Sequence, residues 1–257
     1  MKPQFLQVAA NVALGAWRRS LDTVMPPICP VSGESVAAPG QLSPRAWAAL
    51  HFIEAPYCAR CGIPFAADYG DSIECPSCIA EPPAFDQARA ATVYDDASHK
   101  LIVGFKHSDR TELAPIFGQW LLRAGANIIS PDSILAPAPL HQRRLLARRY
   151  NQSAILAKWV ANYSGARFAP DLLTRIRATP PQKNLSADAR KRNVAGAFAI
   201  SKNGAALITN AHIVLIDDVL TTGATLSACA RALKKAGAAR VDALLLARVV
   251  KGGIGAI

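Results

Sequence analysis

The apolar positions of this chain change their pattern at about residue 88. Before it, residues 26–84 hold no sustained period of three to four or of two, and are rich in Pro, Gly, Ser and Cys. Such a stretch predicts a loop-rich module that needs a staple. After it, short apolar runs alternate with amphipathic ones. "ARAATVY" (88–94) reads as a strand, and "DDASHKLIVGFKH" (95–107) and "TELAPIFGQWLLRAG" (111–125) read as helices. "SILAPAPL" (133–140) reads as a short strand and "NQSAILAKWVANYSG" (151–165) as a helix with one apolar face. "GAFAI", "HIVLID" and "VDALLLARVV" read as further strands, with a helix over 222–236 between the last two.

Strands separated by helices predict an α/β fold, a mainly parallel sheet flanked by helices. The unbroken run "IVLI" predicts a central strand covered on both faces. No internal repeat of 20 to 50 residues is evident in the sequence. "AEPPAF" (80–85) has the Pro content of a hinge. The expected organisation is an N-terminal amphipathic helix (1–25), a small stapled module (26–84) and a main domain (85–257).

The first residues, "MKPQFLQVAANVALGAWRRS", have a short apolar segment broken by Asn11 and followed by Arg18 and Arg19. An amphipathic helix fits this better than an export signal. No run of 18 apolar residues occurs, so no membrane span is expected. Without an export signal the thiols stay reduced, and the expected address is the cytoplasm.

Charge changes the picture in one place. The net charge is +11, and between His141 and Arg192 twelve Lys/Arg face only Asp171 and Asp188. This predicts either a solvated basic surface or a site for a polyanion, whether nucleic acid or a phosphorylated small molecule. Composition alone leaves the last two equal.

Candidate chemistry concentrates in "HIVLIDDVLTTGATLSACARALKKAG" (212–237). A buried strand runs into Asp217 and Asp218, then a short loop, then a helix. In open α/β sheets ligands lie beyond the carboxyl ends of strands. The helix N-terminus offers unpaired N–H groups to a phosphate. Gly223 leaves no Cβ in an anion's way. The hydroxyls of Thr221, Thr222 and Thr225 add hydrogen bonds and helix capping. Two carboxylates would repel phosphate, so the ligand must also carry hydroxyls or a divalent cation. A ribose 5-phosphate unit has that shape. The loop is no Walker motif, because no Lys follows a glycine in the required pattern.

Four of the six cysteines form two CxxC pairs, Cys58/Cys61 and Cys75/Cys78, thirteen residues apart. Four thiolates at this spacing close a tetrahedral structural Zn²⁺ site of the zinc-ribbon kind. Cys229 reads as a buried core thiol.

"VLIDDVLTTGAT" resembles the phosphoribosyl-pyrophosphate (PRPP) binding motif of type I phosphoribosyltransferases. "CARCGIPF", "CPSCIAEPPAFDQARAATVYDD", "LIVGFKHSDR", "APAPLHQRRLLARRYNQSAILA" and "RIRATPPQKNLSADARKRNVAGAFAI" narrow the resemblance to the ComF family, competence-associated phosphoribosyltransferase-like proteins with an N-terminal zinc ribbon. The resemblance implies that Asp217 and Asp218 meet the ribose hydroxyls. Thr221, Thr222, Gly223, Ala224 and Thr225 would cradle the 5-phosphate, with Mg²⁺ accompanying PRPP. It makes Arg143 and Arg144, and more weakly Lys106, candidates for the diphosphate, and the stretch Arg175–Arg192 a hood over the site. The implied activity is phosphoribosyl transfer to an unidentified acceptor. The alternatives are a non-catalytic competence or DNA-uptake factor that binds single-stranded DNA and DNA-processing proteins, or a PRPP-sensing regulator.

One feature limits the resemblance. ComF relatives with a double ribbon carry two further CxxC pairs. Here Cys29 is followed by Ser32, and Ser43 and Ala46 stand at the other pair, so one metal is expected and the second ribbon is degenerate. Aromatic residues are sparse in the basic region (Tyr150, Trp159, Tyr163, Phe168), which argues against a base-stacking platform. His107 and His141 offer no assignable general acid or base.

Overall fold

The computed structural model describes residues 26–250 apart from 69, 71, 108–109, 141–149, 178–185 and 203. The N-terminal amphipathic helix therefore lies outside the described residues, as do Arg143 and Arg144. Between Ala49 and Leu50 the chain separates into two compact units.

Among its described residues the smaller unit carries the short helix α1 (Pro44–Ala48), capped by the Ser43 hydroxyl, which accepts from the Ala46 N–H. In the larger unit, α2 (Pro76–Ala80) starts at Cys75. Among the described residues, seven strands and five α-helices follow: β1 (Ala88–Val93), α3 (Asp96–His107), α4 (Ala114–Ala124), β2 (Ile134–Pro137), α5 (Gln152–Ser164), β3 (Arg167–Phe168), β4 (Leu173–Arg175), α6 (Ala187–Val194), β5 (Phe198–Ile200), β6 (His212–Leu220), α7 (Ala224–Lys235) and β7 (Arg240–Arg248).

Five strands form a wholly parallel sheet in the order β1-β7-β6-β2-β3. This is the mainly parallel, helix-flanked α/β architecture that the alternating pattern predicts. Ile213–Ile216 are fully buried between β7 and β2, as the "IVLI" run requires. Helix α5 is fixed at both ends. Asn151 accepts from the Ser153 N–H, and Gly165 closes the helix at φ 76°. Gly118 on α4 lets α5 approach, because a Cβ there would lie 1.9 Å from the Trp159 ring.

Three expectations need correction. "GAFAI" supplies β5, but β5 pairs antiparallel with β4 in a separate two-stranded sheet. Strand β6 does not stop at the acids. Its pairing with β7 continues through Val219↔Ala247 and Leu220↔Arg248, so Asp217 and Asp218 lie inside it. Finally, a repeat is present that side-chain identity conceals. Residues 28–35 and 57–64 form the same knuckle, with bridges Ile28↔Ser35 and Tyr57↔Pro64 and a left-handed glycine in each (Gly33, φ 73°; Gly62, φ 65°). Both are followed by a helix that begins Xaa-Pro, at Ser43-Pro44 and Cys75-Pro76.

Candidate functional site: two carboxylates and a helix N-terminus

The topology selects one end of the sheet. From β2 the chain moves outward to β3, and from β6 it moves the other way to β7, so connections diverge between β6 and β2. Such a switch point opens a crevice at the carboxyl ends of the strands. Strand β2 ends its pairing at Pro137↔Ile216, and the Ala138 N–H donates to the Ile216 carbonyl at 2.8 Å. Beyond that point, among the described residues, β6 runs on with β7 alone, which leaves Asp217 and Asp218 on the edge facing the crevice.

Three segments distant in sequence converge on these acids. Asp217 Oδ1 accepts from the Ser153 hydroxyl at 3.1 Å and from the Asp218 N–H at 2.9 Å. Lys106 Nζ, near the end of α3, lies 2.8 Å from Asp218 Oδ2, with both side chains mostly shielded from solvent. The Lys106 carbonyl accepts from Gln152 Nε2 at 3.1 Å, and Asn151 Nδ2 donates to the Ala138 carbonyl at 3.3 Å. Tyr150 donates to the Phe105 carbonyl at 2.9 Å. The run Tyr150–Ser153 thus ties α3, the end of β2 and Asp217 together. Sequence reasoning missed its part in the site, although the segment was in view; the signal was a polar run at a helix start, a feature of most helices.

Burial, reinforced by the neighbouring Asp218 charge, pushes the Asp217 carboxyl up to about 7, against hydrogen bonds and Lys106, which pull it down. The site thus holds two adjacent carboxylates unequal in character. Asp218 has a lysine partner, whereas Asp217 is held by a hydroxyl and an amide. Cys229, on the next helix, is fully buried, and its thiol is pushed upward by that burial.

The loop after β6 is tight. Thr221 is exposed, Thr222, Gly223 and Thr225 are half-buried and Ala224 is buried. Gly223 is itself the N-cap of α7, at φ 72° with no side-chain cap, so the expected threonine cap is replaced by a left-handed glycine. The first intrahelical bond runs from the Ser227 N–H to the Gly223 carbonyl at 2.8 Å. Amides of the first turn have no intrahelical partner and point outward from the helix start. The Thr222 hydroxyl is buried and has no hydrogen-bond partner, which is costly for a neutral polar group. The basic residues at the other end, Lys234 and Lys235, complement the helix dipole.

Of the remaining basic candidates, Arg177 donates to the carbonyls of Asn193 and Ala195 instead of projecting freely. Lys106 is the one diphosphate candidate among the described residues, and it lies against Asp218.

The metal centre is separate. The Sγ atoms of Cys58, Cys61, Cys75 and Cys78 all lie within 4.8 Å of one another, and all four residues are buried. The amides of Cys61 and Cys75 donate to Cys58 Sγ at 3.4 and 3.2 Å, the N–H···S pattern that favours thiolate. A hydrogen bond from the Cys61 thiol, with these amides, brings Cys58 down to about 4. Four thiolates with amide support fit Zn²⁺, and these cysteines form a zinc-ribbon metal site. In the degenerate knuckle Ser32 Oγ and Ser43 Oγ lie 2.9 Å apart, closing by hydrogen bond what its counterpart closes with metal. Cys29 remains buried there.

Residues 20–79 match the family model described as the double zinc ribbon domain, and residues 160–253 the one described as the phosphoribosyl transferase domain. The DNA utilization protein YhgH of Salmonella typhimurium is 33% identical over 199 residues, spanning 75% of this chain and 84% of that protein. The chain belongs to the ComF family. Another ComF relative, competence protein F of Haemophilus influenzae, is 28% identical over 203 residues, with 75% of this chain and 85% of that one covered. A hypoxanthine phosphoribosyltransferase from Staphylococcus aureus superposes with TM-score 0.32 at 14% identity over 57% of this chain and 69% of its own. In ComF terms the switch-point crevice belongs to the phosphoribosyltransferase-type domain and the cysteine cluster to the ribbon. No helix among the described residues is long and apolar enough to cross a membrane.

Proposed function

We propose that this ComF protein binds PRPP at the switch-point crevice and transfers its phosphoribosyl group to a nucleophilic acceptor. Asp217 and Asp218 accept hydrogen bonds from the ribose hydroxyls. Thr221, Thr222, Gly223, Ala224 and Thr225 hold the 5-phosphate. The observation that carries this reading is the pairing, within one strand-loop-helix turn, of two carboxylates with a buried unpartnered Thr222 hydroxyl at the N-terminus of α7. An anion at the loop would satisfy the hydroxyl and meet the positive end of the helix dipole.

The carboxylates of Asp217 and Asp218 are hard oxygen donors, suited to Mg²⁺ brought in with the diphosphate. When bound, that ion neutralises charge on the departing diphosphate. The chain's own part is to fix the sugar and to place negative charge beneath a ring that becomes cationic as the C1–O bond to pyrophosphate breaks. Lys106 offsets the Asp218 charge, and with Arg143 and Arg144 it is assigned to the diphosphate. The test of turnover is Mg²⁺-dependent pyrophosphate release from PRPP across a panel of bases and amines. Binding without release from any acceptor would favour a PRPP-sensing regulator.

One observation favours a second reading, a factor that binds single-stranded DNA and works beside competence or DNA-processing partners. On α5, Trp159 and Tyr163 stack with centroids 4.1 Å apart, and Tyr163 is 68% exposed. A stacked pair of this kind extends the sparse aromatic set into a platform for a base. If it serves DNA, Tyr163→Ala weakens oligonucleotide binding and the binding falls steeply with salt. No binding at moderate salt would eliminate this reading.

A further inference from the structure

Arg248 ends β7 and is 9% exposed. Its Nη2 donates to Cys61 Sγ at 3.1 Å, while its Nε is buried without a partner. No carboxylate pairs with it among the described residues. A buried guanidinium needs an anion, because an unpaired buried charge is among the most destabilising features a fold can carry. Here the anion is the thiolate cluster. Four thiolates around a divalent cation carry two net negative charges, so the charges complement each other.

The same residue is locked to the phosphate loop through its backbone. Arg248 stands in register with Leu220 of β6 and with Val93 of β1. The Val249 N–H donates to the Leu220 carbonyl at 2.9 Å, and the Tyr94 N–H donates to the Arg248 carbonyl at 2.7 Å. Leu220 directly precedes Thr221, and its Cδ1 lies 3.5 Å from where a Cβ on Gly223 would stand. The knuckle itself is seated on β1. The Ala88 N–H donates to the Arg60 carbonyl at 2.7 Å, and Arg89 Nη1 donates to the Ala59 carbonyl at 3.0 Å. Gly62 approaches so closely that a Cβ would lie 2.5 Å from the Ala88 carbonyl oxygen.

We infer that Arg248 is a positioning residue for two sites at once: its side chain is the counter-charge of the zinc–thiolate cluster, and its backbone carries the cluster's state to the loop after β6. Zinc in the ribbon therefore holds the loop in its ligand-ready form. The loop's role as a PRPP site rests on the proposed function, but the coupling between ribbon and loop does not.

The experiment uses the full chain and two variants, Arg248→Met and Arg248→Lys. Zinc affinity is measured by competition with a chromophoric chelator, and Co²⁺ replacement reports thiolate-to-metal charge-transfer bands. Amide hydrogen exchange is followed over 213–226 in zinc-loaded and chelator-stripped protein. Loss of the guanidinium should weaken zinc binding about 10- to 100-fold in Arg248→Met, with smaller loss in Arg248→Lys, and shift the Co²⁺ bands. Exchange at 221–226 should quicken about tenfold on stripping zinc and in Arg248→Met, while 213–216 in the buried strand stay protected and show the fold intact. Unchanged zinc affinity and Co²⁺ bands in Arg248→Met would overturn the counter-charge role. Unchanged exchange at 221–226 on zinc removal would overturn the coupling. Failure of PRPP to bind zinc-loaded wild type would defeat the proposed function without altering either readout.

Discussion

The raised pKa of Asp217 means that the candidate site lowers the stability of the fold, and Asp217→Asn measures by how much. Asn keeps an Oδ1 that can accept from Ser153 and from the Asp218 amide, so the substitution removes charge and little else. The carboxyl rises from its ordinary 3.8 to about 7, chiefly through burial and then through Asp218. At 1.36 kcal/mol per pH unit this sets a ceiling of about 4 kcal/mol above pH 7. Asp217 is only half-buried, and screening by solvent should leave about 2 kcal/mol. The folded state holds its proton more tightly than the unfolded state. The penalty is therefore complete above pH 7, shrinks as pH falls through 7 and vanishes below 3.8. Urea unfolding of zinc-saturated protein should show Asp217→Asn more stable than wild type by about 2 kcal/mol at pH 8, the gain narrowing by pH 5.5. A variant no more stable at pH 8, or a gain independent of pH, would refute the reasoning.

Other outcomes follow from the same contacts. Lys106→Met leaves Asp218 without its 2.8 Å partner and should destabilise by about 1–2 kcal/mol at pH 8 in urea unfolding, with an added rise in the Asp217 pKa. Gly118→Ala would drive a methyl into the Trp159 ring, where a Cβ meets Cε3 at 1.9 Å, and should cost about 1–3 kcal/mol in thermal unfolding. Metal analysis should give one zinc per chain for wild type. The triple variant Ser32→Cys/Ser43→Cys/Ala46→Cys should raise that to two, because the degenerate knuckle already shares the backbone of the other.

Sequence pattern makes the local features of this molecule readable and leaves its convergences hidden. The strand "IVLI", the loop Thr221–Thr225 and the four cysteines are contiguous or regularly spaced, so their chemistry can be read along the chain. The Ser153–Asp217 and Lys106–Asp218 contacts join residues separated by dozens of positions and depend on which strands lie side by side. The overrun of β6 past β2 is equally invisible, because it arises from unequal strand lengths rather than from the residues themselves. The paired knuckles escaped notice for a different reason. Ser32 and Ser43 preserve the backbone of the motif without its cysteines, so repeat detection by residue identity fails where the hydrogen bonds still match. Arg248 reads in sequence as the end of an apolar strand, and only its 3.1 Å contact with Cys61 shows a role.

The central claim is tested most directly by calorimetric titration of PRPP with Mg²⁺ into zinc-loaded wild type and into Asp217→Asn/Asp218→Asn. The double variant removes two charge-assisted acceptors and should weaken binding at least about 100-fold while remaining folded. Saturable binding by wild type that is lost in the variant is the predicted result. Equal binding by both proteins would contradict the placement of PRPP on these two carboxylates.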